Sequence, residues 1–192
     1  WFGEKLDYYN RVVNLPVYQF PEMIMDEPVS VRYGFAGRAS AQLHYEIIIN
    51  DEVVATNSIA GITGDLDFAR ELTTSSTYNP LSNSLNVQVK FIPPNNTALG
   101  WLDFVALNVR SNLRFSGGQM AFRDPRSVGP GRITSFTMNN AVDNLELWDV
   151  SDLTDVKSVQ MNKTGDQYSF KRNTDKLTEL VAFDGTSFLT PV

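Results

Sequence analysis

The sequence predicts an all-β protein whose fold class is an antiparallel β-sandwich or jelly roll of about nine or ten strands. Apolar and polar residues alternate with a period of two over several stretches, and no long stretch keeps the 3.6-residue period of an amphipathic helix. Turn-forming residues separate these stretches at short intervals. Together these observations favour many short strands over helices or alternating β–α units.

The first strands are predicted where the alternation is clearest, over 29–35, 42–50 and 84–91. The apolar residues of each stretch share one strand face: Val29, Val31, Tyr33, Phe35, Leu43, Tyr45, Ile47, Ile49, Leu85, Val87, Val89 and Phe91. We expect those of the third stretch, Leu85, Val87, Val89 and Phe91, to point inward. Asn50 and Asp51 predict a hairpin turn after the second stretch. Later strands are predicted over 133–138, 145–150, 156–161, 168–172 and 179–183, and one short helix candidate covers 65–72.

The stretch 101–124 combines a doubly apolar segment with a hairpin signal. Residues 101–107 are apolar on both faces except Asp103, which predicts a central strand, and Val105, Leu107 and Val109 are expected to point inward. Gly117 and Gly118 predict a two-residue turn that pairs 112–115 with 120–123. One face of this hairpin would be apolar, and the other would carry Arg110, Arg114 and Arg123.

Composition limits the classes of function. The chain has 192 residues, no cysteine and a formal net charge of −6. The acidic charge disfavours nucleic acid as a partner, and no apolar run reaches the roughly 18 residues of a membrane-spanning helix. We expect an arm or edge strand over 1–14 and a single β-sandwich domain over 15–192. Because the chain starts at Trp1, we expect an excised segment or mature fragment.

Two stretches carry a resemblance to a known family: ALGWLDFVALNVRSNLRFSGGQMAFRD over 98–124 and LELWDVSDLTDVKSVQM over 145–161. They are similar to the non-catalytic β-rich region of the PorU family, the gingipain-like sortases of type IX secretion in Bacteroidetes. The matching positions are Trp101, Leu102, Asp103, Arg110, Leu113, Arg114, Ser116, Gly117, Phe122, Arg123, Asp124, Trp148, Asp149, Val150 and Asp152. The opening WFGE, over 1–4, also fits the start of that region.

The resemblance implies a region that supports or positions a downstream protease domain and helps to engage secreted cargo. It implies an exported protein at the cell surface, associated with the outer membrane. The family's catalytic cysteine and histidine would follow a segment like ELVAFDG, over 179–185, so the resemblance carries no catalytic residue over to this chain. We therefore expect this chain not to be an enzyme. The alternative is a free-standing carbohydrate- or protein-binding jelly-roll module on the cell surface.

Two clusters of titratable residues are candidates for chemistry. His44, the single histidine, shares a predicted polar strand face with Glu46, so the two form either an acid/base pair or part of a solvated sheet face. Asp149, Asp152 and Asp155 lie within seven residues and supply hard oxygen ligands that suit calcium, although Asp is equally a common turn former. No other cofactor is expected.

The arginines are candidates for binding. Arg110, Arg114 and Arg123 lie in a stretch rich in arginine and free of lysine, which favours an interface that pairs with carboxylates of another domain or chain. A solvated sheet face is the other interpretation. Trp101 and Trp148 are candidate sugar-stacking platforms, or else core residues.

Overall fold

The computed structural model describes residues 3–64, 67–140 and 142–187, and almost all of its strand pairing is antiparallel. The predicted all-β class is confirmed. The described residues form 17 strands rather than nine or ten. The difference arises because several strands are only two to four residues long, too short for an alternating pattern to identify them.

The chain divides into two compact units, Trp1–Ser111 (unit 1) and Asn112–Val192 (unit 2). The sequence predicts one domain over 15–192, whereas the apolar side chains collect into two separate clusters, one in each unit. The physical reason is that each unit has enough buried apolar surface for its own core. The segment 1–14 contributes two edge strands to unit 1.

Unit 1 is a sandwich of two four-stranded sheets. Its strands are β1 (Glu4–Leu6), β2 (Val12–Asn14), β3 (Tyr18–Gln19), β4 (Val29–Arg38), β5 (Leu43–Ile49), β6 (Glu52–Ile59), β7 (Arg70–Tyr78), β8 (Ser84–Leu85), β9 (Val87–Ile92) and β10 (Leu99–Asn108). One sheet has the order β1-β10-β4-β7 and the other β2-β9-β5-β6, and β3 pairs with β8. The central position predicted for 101–107 is confirmed, since β10 lies between β1 and β4.

The core of unit 1 is built from the alternating residues. Leu85, Val87, Val89 and Phe91 are buried as predicted, and the other eight apolar residues of the alternating stretches are buried with them. Val105, Leu107 and Val109 are half-buried against this core. At its centre the Tyr45 ring stacks on Phe35, with centroids 4.2 Å apart, and packs on Phe91 at 5.1 Å. The Tyr45 hydroxyl donates to the carbonyl of Ala36 at 2.6 Å, so its polar atom is satisfied where it is buried.

The hairpin predicted at Asn50 and Asp51 is confirmed between β5 and β6. Both residues have positive φ, 49° and 67°, as a two-residue turn with the twist of its flanking strands requires. Asn50 also accepts a hydrogen bond from the Asn86 backbone at 2.8 Å and donates to the Ser84 carbonyl at 3.0 Å. The turn is therefore anchored to the chain that leads into β9.

Unit 2 has two smaller antiparallel sheets. Its strands are β11 (Gln119–Phe122), β12 (Ile133–Met138), β13 (Glu146–Asp149), β14 (Lys157–Ser158), β15 (Asn162–Thr164), β16 (Gln167–Asn173) and β17 (Leu180–Phe183), with a short 3-10 helix at Pro125–Ser127. The sheet orders are β11-β17-β13-β14 and β12-β16-β15. Phe115, Met138, Leu147, Phe170 and Leu180 are among the residues of the core.

The predicted hairpin across Gly117 and Gly118 is wrong. Both glycines do have positive φ, but β11 pairs with β17, so that Met120 lies opposite Ala182. The preceding segment turns away, and the Phe115 amide donates to the Asn139 carbonyl at 2.9 Å. The physical reason is burial, because this path places Phe115 in the core at 1% exposure.

The predicted helix over 65–72 is also wrong in the part that the structure describes. Arg70–Leu72 begin β7, which pairs with β4 along its length. Residues 65 and 66 lie outside the described residues. The gain from extending the strand pairing exceeds a weak local helix preference, a common way in which tertiary structure overrides propensity.

Candidate functional site

The segment WDVSD, over 148–152, belongs to a polar network that joins the two sheets of unit 2. Asp149 lies on β13 with its side chain turned inward, and its Oδ2 pairs with Nη2 of Arg172 on β16. Its Oδ1 accepts hydrogen bonds from the Ser151 backbone at 3.0 Å and the Ser151 hydroxyl at 2.6 Å. The Ser151 hydroxyl in turn accepts from the Glu179 backbone amide at 2.9 Å.

The network holds Asp149 in its charged form. Burial by itself would raise the pKa of Asp149, but the Ser151 hydrogen bonds and the Arg172 guanidinium outweigh it, and the pKa lies below its usual value. Asp149 is 8% exposed, so its charge is compensated by protein groups rather than by bulk water. The motif residue Asp149 therefore has a structural role in unit 2.

The structure does not bring the three predicted calcium ligands together. The Asp149 carboxylate is bound by Arg172 and Ser151. The Asp152 carboxylate accepts a hydrogen bond from the Thr154 backbone amide at 2.9 Å, and the Asp155 carboxylate forms an ion pair with Lys157 at 2.9 Å. Over 3–64, 67–140 and 142–187, no group of three or more His, Cys, Asp or Glu side chains could hold a metal ion. The geometry favours the other interpretation, turn formation, because each carboxylate stabilises a turn or an ion pair, and calcium binding stays a prediction.

The three predicted interface arginines do not share one face of a hairpin. Arg110 lies in unit 1, where it pairs with Glu27 at 3.1 Å, whereas Arg114 and Arg123 are exposed in unit 2. Arg123 pairs with Glu179 at 2.7 Å and so adjoins the Asp149 network. The hairpin that was expected to align them is absent, because β11 pairs with β17 rather than with the segment before the turn.

The residues around Arg123 explain the FRD motif, over 122–124, in structural terms. Phe122 packs against the unit 2 core, and Asp124 caps the short 3-10 helix by accepting from the Arg126 amide at 3.1 Å. The motif positions 122–124 and 148–152 meet through Glu179, which contacts both Arg123 and Ser151.

His44 and Glu46 lie on the outer face of the β5 sheet, as the alternation predicts. Glu46 Oε2 accepts from Lys90 Nζ on β9 at 3.0 Å. This contact is a cross-strand ion pair, which stabilises a sheet surface. Glu46 therefore has Lys90 as its ion-pair partner, and the geometry favours the solvated sheet face over an acid/base pair with His44.

The two candidate tryptophan platforms differ in exposure. Trp101 is 8% exposed on β10 and lies 6.0 Å from the Phe68 ring, centroid to centroid. Trp148 is 40% exposed on the outer face of β13, where it meets the edge of Phe183 at 4.8 Å and donates from Nε1 to Glu146 at 3.2 Å. Trp148 is therefore the better placed of the two for contact with a ligand or a partner.

A cleft of about 730 Å³ lies on unit 1 beside the bulge at Asp103. Its lining includes Gly34, Phe68, Glu71 and Asp103. A Cβ at Gly34 would lie 2.7 Å from the Phe104 ring, so that ring would have to move to accommodate any larger residue. The bulge thus rests on a glycine that lets an aromatic ring lie close against the sheet.

Sequence analysis missed the turn that joins β1 to β2. We call residues 7–11, with the sequence DYYNR, the tyrosine tip. Asp7 Oδ1 accepts hydrogen bonds from the backbone amides of Tyr9 and Asn10, each at 2.8 Å, and the Asp7 amide donates to the Asn10 carbonyl at 3.0 Å. These hydrogen bonds hold the pKa of Asp7 below its usual value. The signal in the sequence is an Asp followed closely by Asn, which is typical of a side-chain-closed turn.

No family model and no curated protein sequence matches the chain. The structure is similar to dimeric latent PorU from Porphyromonas gingivalis, with a TM-score of 0.77 and 16% sequence identity over 97% of this chain. The chain spans 19% of that PorU chain. At this identity the similarity shows the fold, and the resemblance to a PorU-type β-rich region is confirmed at that level.

A carbohydrate-binding module, CBM36 in complex with calcium and xylotriose, is also similar, with a TM-score of 0.40 and 12% identity over 54% of this chain and 78% of that one. That score is too low to support an argument about this protein. None of the described residues belongs to a helix of the length and apolarity that crossing a membrane requires.

Proposed function

We propose that this chain is a non-catalytic β-rich region of a PorU-type sortase of type IX secretion, which supports or positions a downstream protease domain. The observation that carries the proposal is the similarity of fold to latent PorU over 97% of the chain. The motif resemblance at 98–124 and 145–161 adds to it. The same proposal assigns the protein to the cell surface, associated with the outer membrane, and gives the region a role in engaging cargo.

Exposed arginines of unit 2 are the proposed contact with the protease domain. Arg114 and Arg123 are both exposed, and guanidinium groups pair with carboxylates through two parallel hydrogen bonds. The side chains of Arg123 and Glu179 are both about half exposed, so their ion pair contributes little to stability. Arg123 can therefore leave Glu179 and pair with a carboxylate of the partner at little cost in free energy.

Charge reversal tests the interface. The double variant R114E/R123E is expected to weaken binding of the chain to the proposed downstream protease domain by about tenfold or more, because each reversal replaces an attraction by a repulsion. Calorimetric titration of the two separately produced pieces measures it. The stability of the chain should change by less than about 1 kcal/mol, as is usual for surface residues.

The matched control is K171E/K176E, which makes the same change in net charge at two exposed lysines of unit 2. It should leave the affinity within about twofold of the parent. Equal binding by R114E/R123E and the parent would remove these arginines from the interface. Absence of any binding between the parent and the downstream piece would contradict the proposed function itself.

A second prediction concerns catalysis. The chain alone is expected to show no peptidase or transpeptidase turnover, because it has no cysteine and its Glu46 is engaged by Lys90 rather than by His44. Incubation with a panel of peptide substrates, followed by mass spectrometry, measures it. Turnover that is reproducible and disappears in the variant His44→Ala would refute the prediction.

The alternative function, a carbohydrate-binding module, depends on Trp148. Its indole is partly exposed on an outer sheet face beside a carboxylate, an arrangement that suits stacking on a sugar ring and hydrogen bonding to its hydroxyls. Titration with neutral oligosaccharides while Trp fluorescence is recorded distinguishes the two functions. A saturable change that is lost in Trp148→Ala would favour the alternative.

A further inference from the structure

The tyrosine tip displays aromatic surface that the fold does not use. The Tyr9 side chain is 84% exposed and the Tyr8 side chain 39% exposed, and their rings meet edge to face with centroids 5.5 Å apart. Neither ring belongs to the core of unit 1. Exposed tyrosines of this kind are frequent at the centres of binding sites, since a rigid ring offers a large contact area for little conformational entropy.

The tip is held in one conformation by its own contacts. The Asp7 carboxylate closes the turn, and Arg11 Nε donates to the Tyr8 carbonyl at 2.7 Å. The Arg11 guanidinium carbon lies over the Tyr8 ring, 4.2 Å from its centroid. A site that is ordered before binding avoids much of the entropic cost of association.

The Arg11 guanidinium is positioned to bind an anion. Its Nε is used within the tip, and no carboxylate pairs with Arg11 in the part of the chain that the structure describes. The Nε hydrogen bond to the Tyr8 carbonyl and the contact with the Tyr8 ring both restrain the guanidinium, and neither uses a hydrogen bond from its two terminal amino groups. A carboxylate matches that geometry with two parallel hydrogen bonds.

We propose that the tyrosine tip is a binding site for an acidic peptide segment of another protein. A Glu or Asp carboxylate of the segment pairs with Arg11, and an apolar side chain next to it packs on the Tyr9 ring. The Arg11 guanidinium lies over the Tyr8 ring, and the exposed Tyr9 ring contacts the same Tyr8 ring, so the tip offers an anion contact and an apolar contact together. A carboxylate that has an apolar neighbour, as a peptide supplies, would use both. This site is separate from the arginines of unit 2 and does not depend on the proposed function.

Amide NMR spectra of the isotope-labelled full chain test the proposal. The probe is a short synthetic peptide with the core Leu-Glu-Phe-Glu-Leu, and its matched control has Gln in place of each Glu. The acidic peptide should shift the amide signals of residues 7–11 and the Arg11 Nε–H signal in a saturable manner. The Gln peptide should bind about tenfold more weakly, because it cannot form the ion pair.

Variants separate the two contacts. Tyr9→Ala and Arg11→Lys should each weaken binding of the acidic peptide by about tenfold. Arg11→Lys does so because lysine keeps the positive charge but lacks the planar guanidinium that forms two parallel hydrogen bonds. The control Leu81→Ala removes an equally exposed apolar side chain, 87% exposed, and should bind like the parent. Unchanged amide spectra outside the tip verify that the variants are folded.

Three results would overturn the proposal: equal binding of the Glu and Gln peptides, shifts confined to residues outside the tip, or parent-like affinity in both Tyr9→Ala and Arg11→Lys. Dextran sulfate provides a further comparison. If it shifts the tip signals while the acidic peptide does not, the tip binds polyanions and the peptide assignment is wrong.

Discussion

Replacement of Phe91 by alanine is expected to lower the free energy of unfolding of unit 1 by about 3–5 kcal/mol. Phe91 on β9 is fully buried, and its ring centroid lies 5.1 Å from that of Tyr45. The Phe91 ring also lies close to Gly100, a position where the surrounding side chains leave no room for a Cβ. Removal of the ring therefore leaves a cavity that the neighbouring strands cannot fill. Urea denaturation followed by circular dichroism measures the loss.

Hydrogen exchange assigns the effect to unit 1. Amides of β5 and β9 should lose protection in Phe91→Ala, whereas amides of β16 and β17 should be affected less, since they belong to the other hydrophobic cluster. The control Leu81→Ala, at an exposed position, should change stability by less than about 0.5 kcal/mol. A cost below about 1 kcal/mol for Phe91→Ala would contradict the assignment of β9 to the centre of the sandwich.

The second large effect is expected at Asp149. Asp149→Ala should destabilise unit 2 by about 2–3 kcal/mol, because it leaves the half-buried Arg172 without its carboxylate and removes the hydrogen bonds to Ser151. Arg172→Ala should cost a similar amount. The loss of stability in the double variant should be clearly smaller than the sum of the losses in the two single variants, since each single variant already removes the same ion pair.

The same carboxylate makes the stability of unit 2 depend on pH. Its pKa in the folded protein lies below its usual value of 3.8, so the ion pair stabilises the fold above about that pH. The stabilisation is lost as the pH falls through the lowered pKa. The variant Asp149→Asn keeps the size and an acceptor oxygen for Ser151 but has no charge to lose.

Comparison of Asp149→Asn with the parent isolates this contribution from that of the other carboxylates. The difference in unfolding free energy between the two proteins should be constant near neutral pH and shrink below about pH 4. A difference that does not change with pH across the acid range would mean that the charge of Asp149 does not stabilise unit 2.

The sequence by itself determined which residues of the first strands face inward. In β4, β5 and β9 the alternation of apolar and polar residues identified the strand and its buried face, because side chains on a strand point to opposite sides in turn. The turn at Asn50 and Asp51 was predictable for a similar reason, since the residue types that tolerate positive φ are few. Both signals act between neighbours in the chain.

Only the tertiary structure decided which strands pair. Gly117 and Gly118 do turn the chain, yet β11 joins β17, more than fifty residues later, rather than the segment before the turn. Either pairing places Met120 and Phe122 on an apolar face, so matching of faces cannot distinguish them. Which of the two pairings forms depends on how much apolar surface the whole of unit 2 buries in each. That total area cannot be predicted from any local pattern of the sequence.

The same reason explains the candidate sites. The sequence identified Arg123 and Asp149 as unusual, but their partners, Glu179 and Arg172, are distant in the chain and give no local signal. Arg110 and Arg114 likewise fall in different units, a boundary that no local pattern marks. Local periodicity reports the environment of one strand face, whereas ion pairs, cores and binding surfaces depend on contacts between distant segments, which only the folded chain brings together.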